Sequence, residues 1–590
     1  MSAFKMIGTK GSDVYTTTGD PLLDLNVRLV RGAEPTDLAE RVRVLLNSGY
    51  EADTSVLMFH TRNVRGGRGE RSLFHNMFGT IAAEEPTLAA ALLDLVPEYG
   101  SWMDVVRLAH GLPGARKLLV DQLIKDERTP EGQSISLAAR WAPREGSAWS
   151  DVAKAVAAEL FPDIHPHSAR MKAYRQVIAG LNRRLKTVET LMSAGQWDAI
   201  EPSAVPGRAG KLYSRAFLNL VGTKKAEEVL TRAQQNQLRY PNDPVRMACR
   251  ARFQEHYAAA AKGAAKVHGA DTLFPHEIVK KALEGADALA EEEKHHLSGV
   301  WRSMVEKVVA GGGLRRSIMM SDFSGSMRSS DTNGDTPYWV SMALGILGAQ
   351  AGSGGFARKL MTFDSNPTWH EFPEGADLFG CLQTLRDAGS IGQGLSTDFQ
   401  KAMDLVLGTL KAQRVRPGEE PENLIVLTDM GWDAACGSDE TSYYTGNTYR
   451  HNVKTATWQT HVEMIRESFH RAGEDMWGEG NGWIPPRIVV WNLAANPQDV
   501  PATGDTPGVA LLSGWSPTQF EILQREGPRQ MTASELLLAE LEHPRYDRVR
   551  ERVVAWRSGL PSSSNAAGPG GPAWATHANG WGMEEMETVE

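Results

Sequence analysis

Residues 319–327 read MMSDFSGSM, and they put Asp322, Ser324 and Ser326 at alternate positions directly after the apolar run SIMM. A buried strand seldom ends by presenting three oxygen-bearing side chains within five residues. Two further oxygens stand in comparable places: Asp429 closes the apolar run NLIVLTD, and Thr397 lies in GQGLSTDF, a loop at the start of an expected helix. Five hard oxygen ligands from three loops suit a divalent cation. Mg²⁺ is the first expectation, with Mn²⁺ or Ca²⁺ as substitutes. The segment 430–457 follows Asp429 directly and is expected to overhang the ion, offering Trp432, Tyr443, Tyr444 and Tyr449 to a partner.

A second set of residues is basic. Residues 170–250 hold 15 Lys/Arg against 6 Asp/Glu, a local +9, so the rest of a chain of net charge −9 carries −18. Clustered cations on one surface are what phosphate binding needs. The candidates are Arg170, Lys172, Arg175, Arg183, Arg184, Lys186, Arg208, Lys211 and Arg215, with Tyr174 and Tyr213 interleaved as stacking partners.

Two different periodicities must position these sets. Residues 20–310 read as successive short helices. GDPLLDLNVRLVRG supplies Asp20 as N-cap, Pro21 at the first helical position and Gly32 beyond the end. Helices are expected at 36–47, 53–63, 69–83, 86–96 and 101–110. In YRQVIAGLNRRLKTVETLM, Val177, Leu181, Leu185, Val188 and Met192 recur every three or four residues, which predicts one buried face. Many helices without a strand period suggest a HEAT-like all-α ring or arc. RGGRGER (65–71) reads as a glycine turn with Arg65 and Arg68 facing solvent or the ring.

After GGGLRR (311–316) the pattern changes. SIMMSDF, KLMTFD, NLIVLTD, RIVVWNL and GVALLSG read as buried strands. Helices near 337–351, 377–386, 396–412, 458–472, 516–525 and 532–542 separate or follow them. This alternation predicts a parallel, doubly wound α/β sheet. The domain plan is therefore an N-terminal arm at 1–19, a helical domain at 20–310, a hinge at 311–316, an α/β domain with its own core at 317–545, and a C-terminal helix and acidic tail at 546–590.

The length favours several domains. No run approaches the roughly 18–20 apolar residues of a membrane span, and MSAFKMIGTKGSD lacks the apolar core of a signal peptide, so a cytoplasmic protein is expected. Cys249, Cys381 and Cys436 are far apart and form no C-x-x-C pair. HPH (165–167) and HHL (295–297) lack metal-ligand partners at useful spacing. There is no Walker-type phosphate loop, no Gly-x-Ser-x-Gly elbow, and no nucleophile–base set, so enzymatic activity is not expected.

The order Asp-x-Ser-x-Ser, loop threonine, strand-end aspartate resembles the metal-ion-dependent adhesion site (MIDAS) of von Willebrand factor A domains. In that family the serines and threonine coordinate the ion and the aspartates act directly or through water. The resemblance thus implies a metal set of Asp322, Ser324, Ser326, Thr397 and Asp429, with a coordination position left for a partner's carboxylate. A helical domain followed by such a domain resembles the Ro autoantigen family, built on the TROVE module. RNVRGGRGERSLF, LVPEYGSWMDVV, YRQVIAGLNRRLKTVETLMSAGQWDAI and LFPHEIV are closest to an uncharacterised TROVE-related branch, over most of residues 15–545. The resemblance implies a ribonucleoprotein that binds small noncoding or misfolded RNA without catalysis. The competing expectation is a metal-dependent protein-interaction or assembly module that binds no RNA, with the helical half as a platform.

Overall fold

The structure is a computed structural model, and it describes residues 5–7, 13–222, 224–225, 228–229, 231–284, 288–329, 334–363, 367–389, 399–430, 458–495, 500–524 and 531–559. Among them, no helix is long and apolar enough to cross a membrane. The chain divides into two compact units that interleave along the sequence. One comprises Met1–Glu34, Phe274–Ala286 and Trp301–Glu540; the other comprises Pro35–Leu273, Asp287–Val300 and Leu541–Glu590.

In the first unit the five apolar runs become five strands: β1 (Ser317–Asp322), β2 (Lys359–Phe363), β4 (Asn423–Thr428), β5 (Arg487–Asn492) and β6 (Val509–Ser513). These five are parallel to their neighbours. A sixth, β3 (Trp369–Glu371), runs antiparallel to β2, pairing Glu371 with Lys359. The sheet is therefore mixed, which corrects the expectation of purely parallel strands. Its order is β6-β5-β4-β1-β2-β3. Every residue of β1, β4, β5 and β6 is buried, as expected of parallel strands covered on both faces.

The helix Pro337–Ala351 follows β1, with the Thr336 hydroxyl accepting from Trp339 N, and it is buried almost throughout. The helix Pro21–Arg28 also belongs to this unit. Asp20 caps it through Leu22 N and Leu23 N. Asn492 Nδ2 donates to Val27 O at 2.9 Å, and Ser513 Oγ donates to Asn26 O at 2.5 Å. Side chains at the ends of β5 and β6 thereby reach carbonyls of its last turn, although Asn26 O also accepts from the Leu29 N–H.

The second unit is mostly helical. Pro35–Asn47, Glu51–Arg62, Arg71–Glu84 and Trp102–Ala109 fall close to the expected spans. The helix His167–Leu185 stops at Lys186, whose φ of +47° is left-handed, and Val188–Ser193 is a separate helix. The buried residues of His167–Leu185 are Met171, Tyr174, Ile178, Leu181 and Asn182. The expected face on Val177 and Leu185 is thus displaced by about one residue.

The C-terminal helix Asp547–Arg557 closes this unit. Val549 and Val553 are buried, and Arg548, Arg550, Arg552 and Arg557 pair with Glu98, Asp53, Asp94 and Glu51. Just before it, Tyr546 OH lies 2.9 Å from His60 Nδ1 and Arg545 Nη1 donates to Gly66 O at 2.5 Å. RGGRGER does form a turn, with Gly69 at φ +70°. Arg65 is exposed, but Arg68 is fully buried, not on an accessible surface facing solvent or the ring as expected.

Candidate functional site

Asp322 ends β1, and Asp429 immediately follows the adjacent β4. From β1 the chain moves outward to β2 and β3, then returns on the other side of β1 as β4. This reversal is a topological switch point, where open α/β sheets hold ligands beyond the strands' carboxyl ends. Asp322 is fully buried. Its Oδ1 accepts from Ser324 N at 2.8 Å, and its Oδ2 accepts from Thr428 Oγ1 at 3.0 Å. Both bonds orient the carboxylate.

Ser324 is buried and Ser326 exposed, at the start of the short 3-10 turn Gly325–Arg328. Their hydroxyls are 3.1 Å apart. Two neighbouring ligands of an octahedral ion with bonds of about 2.1 Å sit roughly 3.0 Å apart, so the pair fits one edge of a Mg²⁺ shell. Beyond Asp429, Met430 adopts φ +66° while its N–H donates to Thr428 Oγ1 at 3.2 Å. A left-handed non-glycine residue costs about 1–2 kcal/mol, and such strain concentrates at functional sites. Four of the five predicted ligands thus lie at the two central strand ends. Thr397 lies outside the described residues, as do Trp432, Tyr443, Tyr444 and Tyr449. Among the described residues no group of three or more His, Cys, Asp or Glu could hold a metal. The donor set that remains is carboxylate and hydroxyl, suited to a hard cation.

The basic candidates divide into two groups. Arg170 donates to Phe161 O, Arg175 pairs with Glu145, and Arg184 donates to Asp126 O and Pro130 O. Arg215 is bound to Glu293 and to the carbonyls of Val221 and Gln235. These four brace the fold. Lys172, Lys186 and Arg208 are exposed without a side-chain partner among the described residues, and Arg183 contacts only the carbonyl of Ala179 on its own helix. Lys211 is half-buried. Tyr174 cannot stack on a base. It is buried, its hydroxyl donates to Pro143 O at 2.8 Å, and burial pushes its pKa up. Tyr213 is half-buried, edge-on to Phe217.

A third cluster, in the helical unit, has no counterpart in the sequence reading. Asp104 is fully buried and forms a capping box with Ser101 at the start of Trp102–Ala109. Its Oδ2 accepts from Arg62 Nε (3.0 Å) and Nη2 (2.8 Å), Ser101 N (2.8 Å) and Ser101 Oγ (2.8 Å). Its Oδ1 lies 3.1 Å from His75 Nε2 and 3.4 Å from Arg71 Nε. Burial alone would raise the Asp104 carboxyl, but the His75 hydrogen bond and the charges of Arg62, His75 and Arg71 hold it well below the usual carboxylate range. Burial, together with the charges of Arg62, Arg107 and Arg208, pulls Arg71 down to about 10 against the attraction of Asp104. His75 is also depressed, by burial first and then by Arg107 and Arg71. Ser101-x-x-Asp104 is readable as a cap signal, but nothing in the sequence shows Arg62, Arg71 and His75 converging on it.

Profiles of two domains of unknown function match the chain: DUF7788 over residues 316–549, covering the six-stranded sheet, and DUF2828 over residues 115–226, within the helical unit. The chain is also similar to the uncharacterized protein L728 of Acanthamoeba polyphaga mimivirus. The two are 25% identical over 544 residues, spanning 86% of this chain and 82% of that protein. Among solved structures, the Ro (RSR) protein of Deinococcus radiodurans aligns over 82% of this chain and 93% of its own, with 15% identity and a TM-score of 0.39.

Proposed function

We propose that the protein is a non-enzymatic, Ro-like RNA-binding protein. Its helical unit, of the HEAT-like TROVE type, takes small noncoding or misfolded RNA. Its α/β unit is a von Willebrand factor A-type domain whose divalent cation receives a protein partner's carboxylate. The single observation that carries this reading is the placement of Asp322, Ser324, Ser326 and Asp429 at two adjacent strand ends flanking the switch point, in the order of the adhesion-site motif. The RNA half draws on the exposed cations Lys172, Arg183, Lys186 and Arg208, and on the resemblance of the helical phrases to the TROVE module.

Two measurements test the halves separately. Calorimetry with Mg²⁺ is expected to show one bound ion that Asp322→Ala abolishes while far-ultraviolet circular dichroism stays unchanged. Equal binding by the variant refutes the metal site. For RNA, reversing Lys172, Arg183 and Lys186 to glutamate is expected to remove most affinity. With four to six phosphate contacts, wild-type binding should weaken by about two to three orders of magnitude over a fourfold rise in salt. Arg184 is left intact in that variant because its bonds to Asp126 O and Pro130 O hold the fold.

The alternative, a metal-dependent assembly module without RNA, draws on one observation: four of the nine basic candidates are already engaged within the protein. Purified protein free of nuclease-sensitive material absorbing at 260 nm, and silent toward RNA at low salt, would favour it.

A further inference from the structure

Tyr174 and Tyr213 were the expected stacking partners, but the basic segment exposes a different tyrosine. Among the described aromatic residues of 170–250, Tyr174 and Phe217 are buried, Trp197 and Tyr213 are half-buried, and Tyr240 is 43% exposed. Tyr240 belongs to a stack. The guanidinium carbon of Arg246 lies 3.4 Å from the ring centre of Trp197 and 5.3 Å from that of Tyr240, and the guanidinium carbon of Arg239 lies 5.3 Å from Tyr240. Rings and guanidinium groups thus alternate from Trp197 through Arg246 and Tyr240 to Arg239. Every step lies within the roughly 6 Å over which a cation attracts a ring face.

The inner end of this stack supports the fold. Arg246 is buried, and its Nη2 donates to Ala216 O at 2.6 Å. The outer end differs. Arg239 is exposed, and its guanidinium has no hydrogen bond or ion pair among the described residues beyond its approach to Tyr240. Of the nearby acids, Asp243 caps the helix Pro244–Ala261 through Val245 N and Arg246 N, Glu201 pairs with Arg252, and Asp198 is exposed. No described ion pair therefore neutralises Arg239.

The backbone beneath the exposed end is fixed all the same. Asn219 follows the helix Gly207–Phe217 at φ +52°, a left-handed position that asparagine tolerates at a helix end. It is fully buried, and its amide holds both backbone groups of Tyr240. Nδ2 donates to Tyr240 O at 2.9 Å, and Tyr240 N donates to Oδ1 at 3.1 Å. Arg239 N donates to Asn219 O at 2.8 Å, and Val221 N donates to Gln237 O at 3.0 Å. A buried amide committed to one exposed residue holds that side chain in place at the surface, which lowers the entropy lost when a ligand covers it.

We propose that Tyr240 and Arg239 form a stacking step for an unpaired base of an RNA strand. Bases stack on aromatic rings and on arginine planes. The exposed end of the stack offers one of each, and the Arg239 charge suits the adjoining phosphate. The step rests on the RNA-binding reading and adds to it a contact that salt does not screen.

The test is fluorescence anisotropy of the full chain with a labelled short oligouridine and a labelled short RNA duplex, over a range of salt. Tyr240→Ala is expected to weaken oligouridine binding about tenfold at every salt concentration, with the salt slope unchanged. Tyr240→Phe keeps the ring and should bind as the wild type does. Arg239→Gln should lower the salt slope by about one. Paired bases cannot enter the stack, so duplex affinity should be the same in Tyr240→Ala as in the wild type. Circular dichroism should be unchanged in all three variants. The proposal is overturned, with the RNA reading left standing, by unchanged oligouridine affinity in Tyr240→Ala, by an equal loss toward the duplex, by failure of Tyr240→Phe to bind, or by an unchanged slope in Arg239→Gln. A wild type that binds neither probe at low salt overturns both readings together.

Discussion

Asp104→Asn preserves shape while removing one negative charge from a site where Asp104 is fully buried and the Arg62 side chain is 3% exposed. The amide would turn an NH₂ toward groups that themselves donate. Breaking one side of a buried ion pair costs about 3–5 kcal/mol, and losing the Ser101 capping interaction costs about 1 kcal/mol. The two share partners and do not add fully, so roughly 4 kcal/mol is expected, a large fraction of a typical 5–15 kcal/mol stability. Hydrogen exchange reads this locally. At 1.4 kcal/mol per tenfold, amides of Trp102–Ala109 that open with the unit should lose about three orders of magnitude of protection. Amides of β1 and β4 report on the sheet unit as an internal reference. A loss below tenfold would show that the cluster's orientation does not depend on the Asp104 charge.

In the sheet unit, His276 is fully buried and depressed by burial above all, then by the charge of Arg31; its Nε2 stands 3.7 Å from Asp335 Oδ2, too long for a hydrogen bond. A depressed folded pKa gives stability that is present above the unfolded value of about 6.5 and lost as pH falls. The melting temperature should therefore drop between pH 7 and 5, and His276→Gln should flatten that slope. Gly67→Ala would set a Cβ 3.0 Å from Asn63 O and closer still to His60 O; backbone cannot yield as a side chain can, so a loss of about 1–3 kcal/mol is expected in urea unfolding. Arg548→Ala, at a pair whose arginine is 54% exposed, should cost under about 1 kcal/mol, while Val553→Ala in the buried face of the same helix should cost about 2 kcal/mol; the reverse order would refute the roles assigned to them.

The readable parts of the fold were those with a strong local signal. SIMM, NLIVLT, RIVVWN and VALLS are unbroken apolar runs because their strands are buried on both faces. The edge strand Trp369–Glu371 was missed because it is three residues long and partly exposed, so it carries neither an apolar run nor a clear alternation. The apolar spacing of YRQVIAGLNRRLKTVETLM runs through Lys186 into a separate helix, so it misplaces the buried face of His167–Leu185. Asp322 and Asp429 were readable because each ends an apolar run. The Asp104 cluster is not, since Arg62, Arg71 and His75 are brought to it only by helix packing, with no spacing that announces it.

The interleaving of the two units bears on how the chain is made. The helix Pro21–Arg28 belongs with a sheet whose first strand begins at Ser317, and the helix Asp547–Arg557 belongs with helices that begin at Pro35. During synthesis the first helix therefore waits 465 residues, from Val27 to Asn492, and 487, from Asn26 to Ser513, for the side chains that bond it. The helices carrying Glu51, Asp53, Asp94 and Glu98 wait about as long, until the arginines that neutralise them leave the ribosome. At the ordinary rate of about 5–20 residues per second, that second interval is roughly half a minute to a minute and a half. Through it, the surface that Val549 and Val553 later cover stays open to water and to any chaperone that reads exposed apolar faces.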